Sequence, residues 1–311
     1  MAHGKTNAKA TQWNALHLRL GGLRRFAFSI TIFNILGHAF LGFEQSIAQP
    51  LVALATAYTL ALLFESIFSW SIERKPAFLT RGITGFIDFL LPSHIAALAI
   101  SMLLYSNEYF APMMFAIAVG LGSKVLLRMK VGKGSMHIFN PSNLGIAVTL
   151  ILFPWVGISP PYHFTENVIG PANWGMVIGF VIFGTFLNLR FTKRMPLIIA
   201  WLSAFVLQAI IRALIFGMPL IAGLMPMTGV AFLLYTFYMI TDPATTPQNT
   251  RSQVLFGISV AIVYGWLMTM HIVFGLFFAL PIVCLVRNIG IFITRLIEKQ
   301  KEQPLVAQFP A

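Results

Sequence analysis

Ten stretches of this chain are apolar for long enough to cross, or nearly cross, a lipid bilayer, and that pattern leaves the fold little freedom. They run near 26–43, 50–70, 84–105, 110–127, 141–157, 174–191, 196–216, 222–241, 254–271 and 273–294. About 20 apolar residues span the hydrocarbon as a helix, and only helices or closed barrels satisfy every backbone polar group there. Just 10% of the residues are charged and 58% are hydrophobic, whereas a soluble domain carries roughly 25% charged residues. A soluble enzyme is thereby excluded. The sequence predicts an all-α polytopic membrane bundle, with a basic segment 1–25, a ten-helix domain 26–295 and a tail 296–311.

The loop charges fix the expected orientation. Lys5, Lys9, Arg19, Arg24 and Arg25 precede the first span, and Arg74, Lys75 and Arg81 follow the second. Lys124, Arg128, Lys130 and Lys133, then Arg190, Lys193 and Arg194, then Arg251, and finally Arg295, Lys299 and Lys301 fall on every second loop and the tail. The intervening loops hold Glu44, Glu108 and Glu166. Lys and Arg collect in cytoplasmic loops, so both termini are expected in the cytoplasm and the protein in the cell's inner (plasma) membrane. The net charge of +12 is explained by this topology, and no nucleic-acid partner is expected. The single cysteine, Cys284, allows neither an internal disulfide nor an iron–sulfur cluster held by four cysteines of this chain. Residues 1–25 lack the short apolar core of a cleavable signal peptide.

Ionisable residues inside spans are rare and usually face the bundle interior, because centring one in lipid costs about 2.5–3.5 kcal/mol or more. Here they are His38, Glu65, Asp88, His94, Arg212 and Arg287. Glu65 is expected to snorkel or to pair with a base such as Arg81. Asp88 is open to a helix-pairing or a functional role. Arg212 is expected to snorkel outward and Arg287 to anchor at the cytoplasmic interface. His38, His94, His137, His163 and His271 are scattered over separate elements, so no metal site and no paired haem ligands are expected. The third span reads as broken at Pro92-Ser93-His94, and the eighth opens at Thr228-Gly229 and ends at Asp242-Pro243. Interrupted segments at corresponding places in two halves point to a site near the midplane.

Two polar, proline-marked loops stand out against this apolar background. One is His137-Ile138-Phe139-Asn140-Pro141-Ser142-Asn143, the other Thr241-Asp242-Pro243-Ala244-Thr245-Thr246-Pro247-Gln248-Asn249. Asn140 before Pro141 is the pattern of a capped helix start, and Asp242-Pro243 repeats it. A helix N-terminus with free N–H groups suits an anion or a carbonyl oxygen. Asn140, Ser142, Asn143, Asp242, Thr245, Thr246, Asn249 and Arg251 are therefore the candidate ligand-binding residues. Capping alone accounts equally well for Asn140 and Asp242.

Phe139-Asn140-Pro141 with Gly145-Ile146, then Thr241-Asp242-Pro243-Ala244-Thr245 with Leu255-Phe256-Gly257, resembles the NqrB/RnfD family over roughly residues 80–295. These are membrane subunits of the sodium-pumping NADH:quinone oxidoreductase and of the Rnf electron-transport complex. The resemblance implies a ten-helix bundle of two related halves, similar to urea and ammonium channels. It also implies electron-donor or other membrane-complex subunits as partners, and electron transport coupled to ion movement. Members with covalent FMN attach it to a threonine in a Ser-x-Ala-Thr type motif after the Asn-Pro helix. Here that interval reads Ser159-Pro160-Pro161-Tyr162-His163-Phe164-Thr165-Glu166, so covalent FMN is predicted absent. A noncovalent flavin (FMN or riboflavin) or a quinone is the expected ligand. The short interval also resembles the UnbU group found among enediyne biosynthesis proteins. A channel for a small solute or ion, or an accessory membrane protein of natural-product biosynthesis, are the alternative readings.

Overall fold

The computed structural model describes residues 20–80, 82–131, 134–159, 167 and 170–302. Helices dominate. The first, α1, covers 20–36 and continues as a π-helical turn, Gly37–Leu41. There follow α2 (Ala48–Ser71), α3 (Gly82–Leu103), α4 (Phe110–Leu126), α5 (Pro141–Leu152) and α6 (Asn173–Leu187) with its π turn Asn188–Thr192. The rest are α7 (Met195–Phe216), α8 (Leu220–Leu224), α9 (Val230–Leu234) with the π turn Tyr235–Met239, α10 (Thr250–Thr269) and α11 (Gly275–Glu302). Six of the helices are long and apolar enough to cross a membrane, and the bent pair Leu220–Thr228 and Val230–Met239 brings the number to seven if counted as one span. Phe110–Leu126 and Pro141–Leu152 are apolar but shorter. The molecule is an all-α, multi-pass membrane-type bundle.

Its exterior is as apolar as its interior, which is what a lipid solvent allows. Leu51, Ile182, Leu214, Leu255 and Ile262 point outward along the long helices. Inside, Trp201 and Phe205 of α7 pack against Phe232 of α9 and Tyr264 of α10, with ring centroids 4.8–6.3 Å apart. Two close crossings depend on glycine. A Cβ at Gly145 of α5 would collide with the Ala116 carbonyl of α4, and one at Gly257 of α10 would lie 2.7 Å from the Leu197 carbonyl of α7. Small residues let membrane helices approach this closely.

Two expectations need correction, those for the third span and for Arg212. The third span is not broken: α3 runs continuously from Gly82 to Leu103 with Pro92 inside it. The eighth span is interrupted at Gly229, as its Thr228-Gly229 opening suggested, and the two flanking pieces meet at 66°. Glu65 pairs with Arg74 at 2.8 Å and also accepts from Ser69 and the Ala77 N–H; Arg81 lies outside the described residues. Arg212 does not snorkel. It is only 5% exposed, beside the Gln208 oxygen at 3.5 Å and the Met218 sulfur at 3.2 Å.

Other ionisable groups tie helices together. Arg24 of α1 forks onto Asp88 of α3 with two bonds of 2.7 Å, which makes Asp88 a helix-pairing group. Thr31 donates its hydroxyl to the Ala27 carbonyl. Its oxygen therefore accepts from His94 Nε2 at 2.7 Å, and His94 Nδ1 accepts from the Tyr58 hydroxyl at 2.7 Å. That chain of bonds joins α1, α2 and α3 around a neutral imidazole.

Candidate functional site

The stretch from Arg128 to His137, expected as a loop, forms an antiparallel hairpin of β2 (Arg128–Val131) and β3 (Gly134–His137), numbered after a two-residue strand β1 (Leu104–Tyr105). It delivers His137 directly to the start of α5. There Asn140 is the N-cap: its Oδ1 accepts from the Asn143 N–H at 3.0 Å and from the Ser142 hydroxyl at 2.8 Å. Pro141 takes the first helical position, where a missing N–H costs nothing. The Asn140 side-chain amide then donates across the bundle to the Met239 carbonyl at 3.3 Å.

Asp242 does not begin a helix as Asn140 does. Residues 240–249 form successive turns, and α10 opens at Asn249, whose side chain accepts from the Arg251 N–H at 3.0 Å. The reason is a second proline, Pro247: two prolines within five residues withhold the N–H groups that a first helical turn would use beyond its start. Asp242 instead makes a tight turn, accepting from the Ala244 N–H at 3.0 Å. Its other oxygen meets His137 Nε2 at 3.4 Å.

The turn is gripped from several sides. The Thr246 hydroxyl donates to the Asp242 carbonyl at 2.7 Å and accepts from Arg194 Nε at 2.9 Å. Thr245 donates to the same carbonyl at 3.4 Å, and its own carbonyl accepts from Arg287 of α11 at 3.1 Å. Gln253 of α10 donates to the carbonyls of Gln248 and Lys193. Asn188, just before Arg194, donates to the Phe237 carbonyl at 2.9 Å and so ties α6 to the π turn that leads into the loop. The two polar loops thus meet. The bonds between them run from His137 to Asp242 and from Asn140 to the Met239 carbonyl, with Ser142 and Asn143 in the first turn behind Asn140 and Thr245 and Thr246 in the turn behind Asp242. Asn249 and Arg251 are exposed and reach neither group through any hydrogen bond among the described residues.

The electrostatics of this knot are lopsided. Burial alone would push the Asp242 carboxyl up, but His137, the Ala244 N–H and Lys124 outweigh it and hold it below its ordinary value. Arg194 is 4% exposed. Burial pushes its guanidinium down, Asp242 pulls it back up, and the neighbouring Arg287 adds to the downward push. One carboxylate thus serves Arg194 and Lys124 and also meets the His137 ring. In the residues that build the two loops and their grip, two buried polar atoms have no hydrogen-bond partner, Asn143 Nδ2 and Gln253 Oε1. Among the described residues no group of three or more His, Cys, Asp or Glu side chains could hold a metal ion.

Arg194, Asn188, Gln253 and Arg287 were not singled out as site residues by sequence. The one available signal was Arg194 directly before Met195-Pro196, a helix start with a cation at its mouth. Thr165, in the interval that lacks the Ser-x-Ala-Thr pattern expected of covalent FMN, lies outside the described residues. No protein-family model matches this chain, and no curated protein matches it significantly.

Proposed function

We propose that this chain is an RnfD/NqrB-like membrane subunit that holds a noncovalent flavin, or a quinone, against the gripped loop between Asn140 and Asp242. Electrons would arrive from a partner subunit, and their passage would be coupled to ion movement. The observation behind this reading is the meeting of two loops 105 residues apart at His137 and Asp242, under a surplus of positive charge. Buried cations that outnumber their carboxylates favour an electron-rich or anionic partner. The donor set also fits such a group: Asn143 Nδ2 is a buried donor without an acceptor, and it sits in the first turn of α5, where helix N–H groups add about half a positive charge. A bound flavin or quinone supplies the electron-transfer chemistry. Asn143 and the α5 N-terminus would hold its carbonyl edge, and Arg194 would balance the negative charge.

The finer architecture belongs to the same proposal: ten spans in two related halves, with both termini cytoplasmic in the inner (plasma) membrane. α1 and the two short apolar helices complete the count. Support for two halves comes from parallel details. α1 and α6 each end in a five-residue π turn closed by a left-handed residue, Gly42 and Lys193, and Phe33 stacks on Phe180 where the two helices meet, at 4.0 Å. α2 packs on α4 as α7 packs on α10, and α4 on α5 as α10 on α11.

The deciding measurement is the visible absorption spectrum of the purified full chain. A flavin band that is lost in Asn143→Leu, with the variant still monodisperse, is the expected result. A colourless, quinone-inert protein ends the redox reading. The channel-like alternative draws on one observation, the 66° break at Gly229, since interrupted helices line transport sites. Solute flux by colourless protein in liposomes would favour it.

A further inference from the structure

A groove of about 400 Å³ runs between α10 and α11 beside the gripped loop. Ser252, Ser259 and Val263 line it from α10, and Ile282, Val286 and Arg287 from α11. The two helices run in opposite directions, so the groove is polar at one end, by Ser252 and Arg287, and apolar at the other, by Val263 and Ile282. From Ser252 to Val263 an α-helix rises about 16 Å, at about 1.5 Å per residue. That is close to half of a hydrocarbon core roughly 30 Å thick. The groove therefore has the depth of one leaflet and starts at the surface that carries the gripped loop.

Arg287 also lines a second crevice, of about 430 Å³, with Thr294, Arg295 and Glu298. That crevice continues along α11, so Arg287 stands where the two meet. One guanidinium nitrogen of Arg287 bonds to the Thr245 carbonyl, which fixes the side chain at the top of the groove. A guanidinium is always charged and its planar fork matches phosphate oxygens, and basic pockets between helices take anionic headgroups.

We infer that the α10/α11 groove is a specific site for an acidic phospholipid of the adjoining leaflet, with one acyl chain between Ser259 and Val286 and the phosphodiester on Arg287. The guanidinium of Arg287 at the mouth selects an anionic headgroup such as phosphatidylglycerol. A zwitterionic lipid brings its own cation to a mouth that is already positive. Because Arg287 also holds the Thr245 carbonyl, an occupied groove braces the turn that carries Asp242. The inference rests on the membrane reading of the bundle and is independent of flavin.

The test is native mass spectrometry of the detergent-purified full chain, titrated with phosphatidylglycerol or phosphatidylcholine of identical acyl chains. Phosphatidylglycerol adducts should be retained about fivefold more strongly, the effect of roughly one basic contact at a membrane surface. Arg287→Gln should remove the preference. Ser259→Trp, which fills the groove and leaves Arg287 in place, should remove it too, and it keeps the test decisive if Arg287→Gln fails to fold. Equal retention of the two lipids by the unmodified chain, or an unchanged preference in Ser259→Trp, overturns the site. Displacement of the lipid by inorganic phosphate alone would show a free-anion site and would also overturn it. The absorption spectrum of the same samples reports on the flavin separately, so either proposal can fail without the other.

Discussion

At the scale of single residues, the meeting of the two loops rests on a few polar atoms whose loss is measurable. Asn140 serves two elements at once, capping α5 and donating to the Met239 carbonyl. Asn140→Ala should cost about 1 kcal/mol for the cap and about another 1 kcal/mol for the buried carbonyl left unpaired. Asn140→Ser, which can still cap, should recover the first part in thermal unfolding of the detergent-solubilised protein. Asp242 carries a pH signature. Its carboxyl is held below its ordinary value of 3.8, so its contribution to stability is fully present above that value and is lost as the pH falls below it, through the depressed folded-state value. Unfolding temperatures measured from neutral pH down to pH 3 should fall at the acid end. Asp242→Asn should flatten that fall and lower stability at neutral pH, where Arg194 and Lys124 lose their counter-ion.

At the scale of elements, the bundle is set by where backbones touch. Gly145 and Gly257 sit where α5 crosses α4 and α10 crosses α7, each against a carbonyl of the neighbouring helix. Gly145→Ala and Gly257→Ala should each destabilise by about 1–3 kcal/mol, the usual cost of an overpacked contact. Gly122 of α4 has nothing within 4 Å of its would-be Cβ, so Gly122→Ala should be neutral or slightly stabilising through better helix propensity. A thermal-shift series on the three variants checks the order. The same two crossings place the N-terminus of α5 and the loop before α10 within reach of each other. They therefore prepare the site as well as hold the fold.

At the scale of the whole molecule, the question is which surface faces which side of the membrane. Glu108 and Asn249 lie at opposite ends of the bundle, and the alternation of loop charges assigns Asn249 to the cytoplasm. Asn249→Cys should react with a membrane-impermeant maleimide only after the cells are opened. Glu108→Cys should react from outside. The native Cys284 is buried and stays silent in this assay. Reversed labelling at either position would overturn the proposed orientation.

Most of the helical layout was legible in the sequence, because a bilayer demands long apolar runs and the run boundaries are marked by charge. The helix start at Asn140-Pro141 was likewise readable from capping chemistry. The third and eighth spans show the limit. Both carry proline and glycine, yet α3 passes through Pro92 and the eighth span bends at Gly229. A proline removes only one hydrogen bond, and the packed second half of α3 holds the helix together around it. The partners of the buried charges were not legible either. Arg24 with Asp88, Arg194 with Thr246 and Arg287 with the Thr245 carbonyl are each separated by more than forty residues. The sequence by itself determined that the chain is a multi-pass helical bundle, since hydropathy and loop charge are local properties. Only the tertiary structure decided that the Asn140 and Asp242 loops share one cationic knot, because a side-chain contact depends on which helices pack together, and that is a property of the whole bundle.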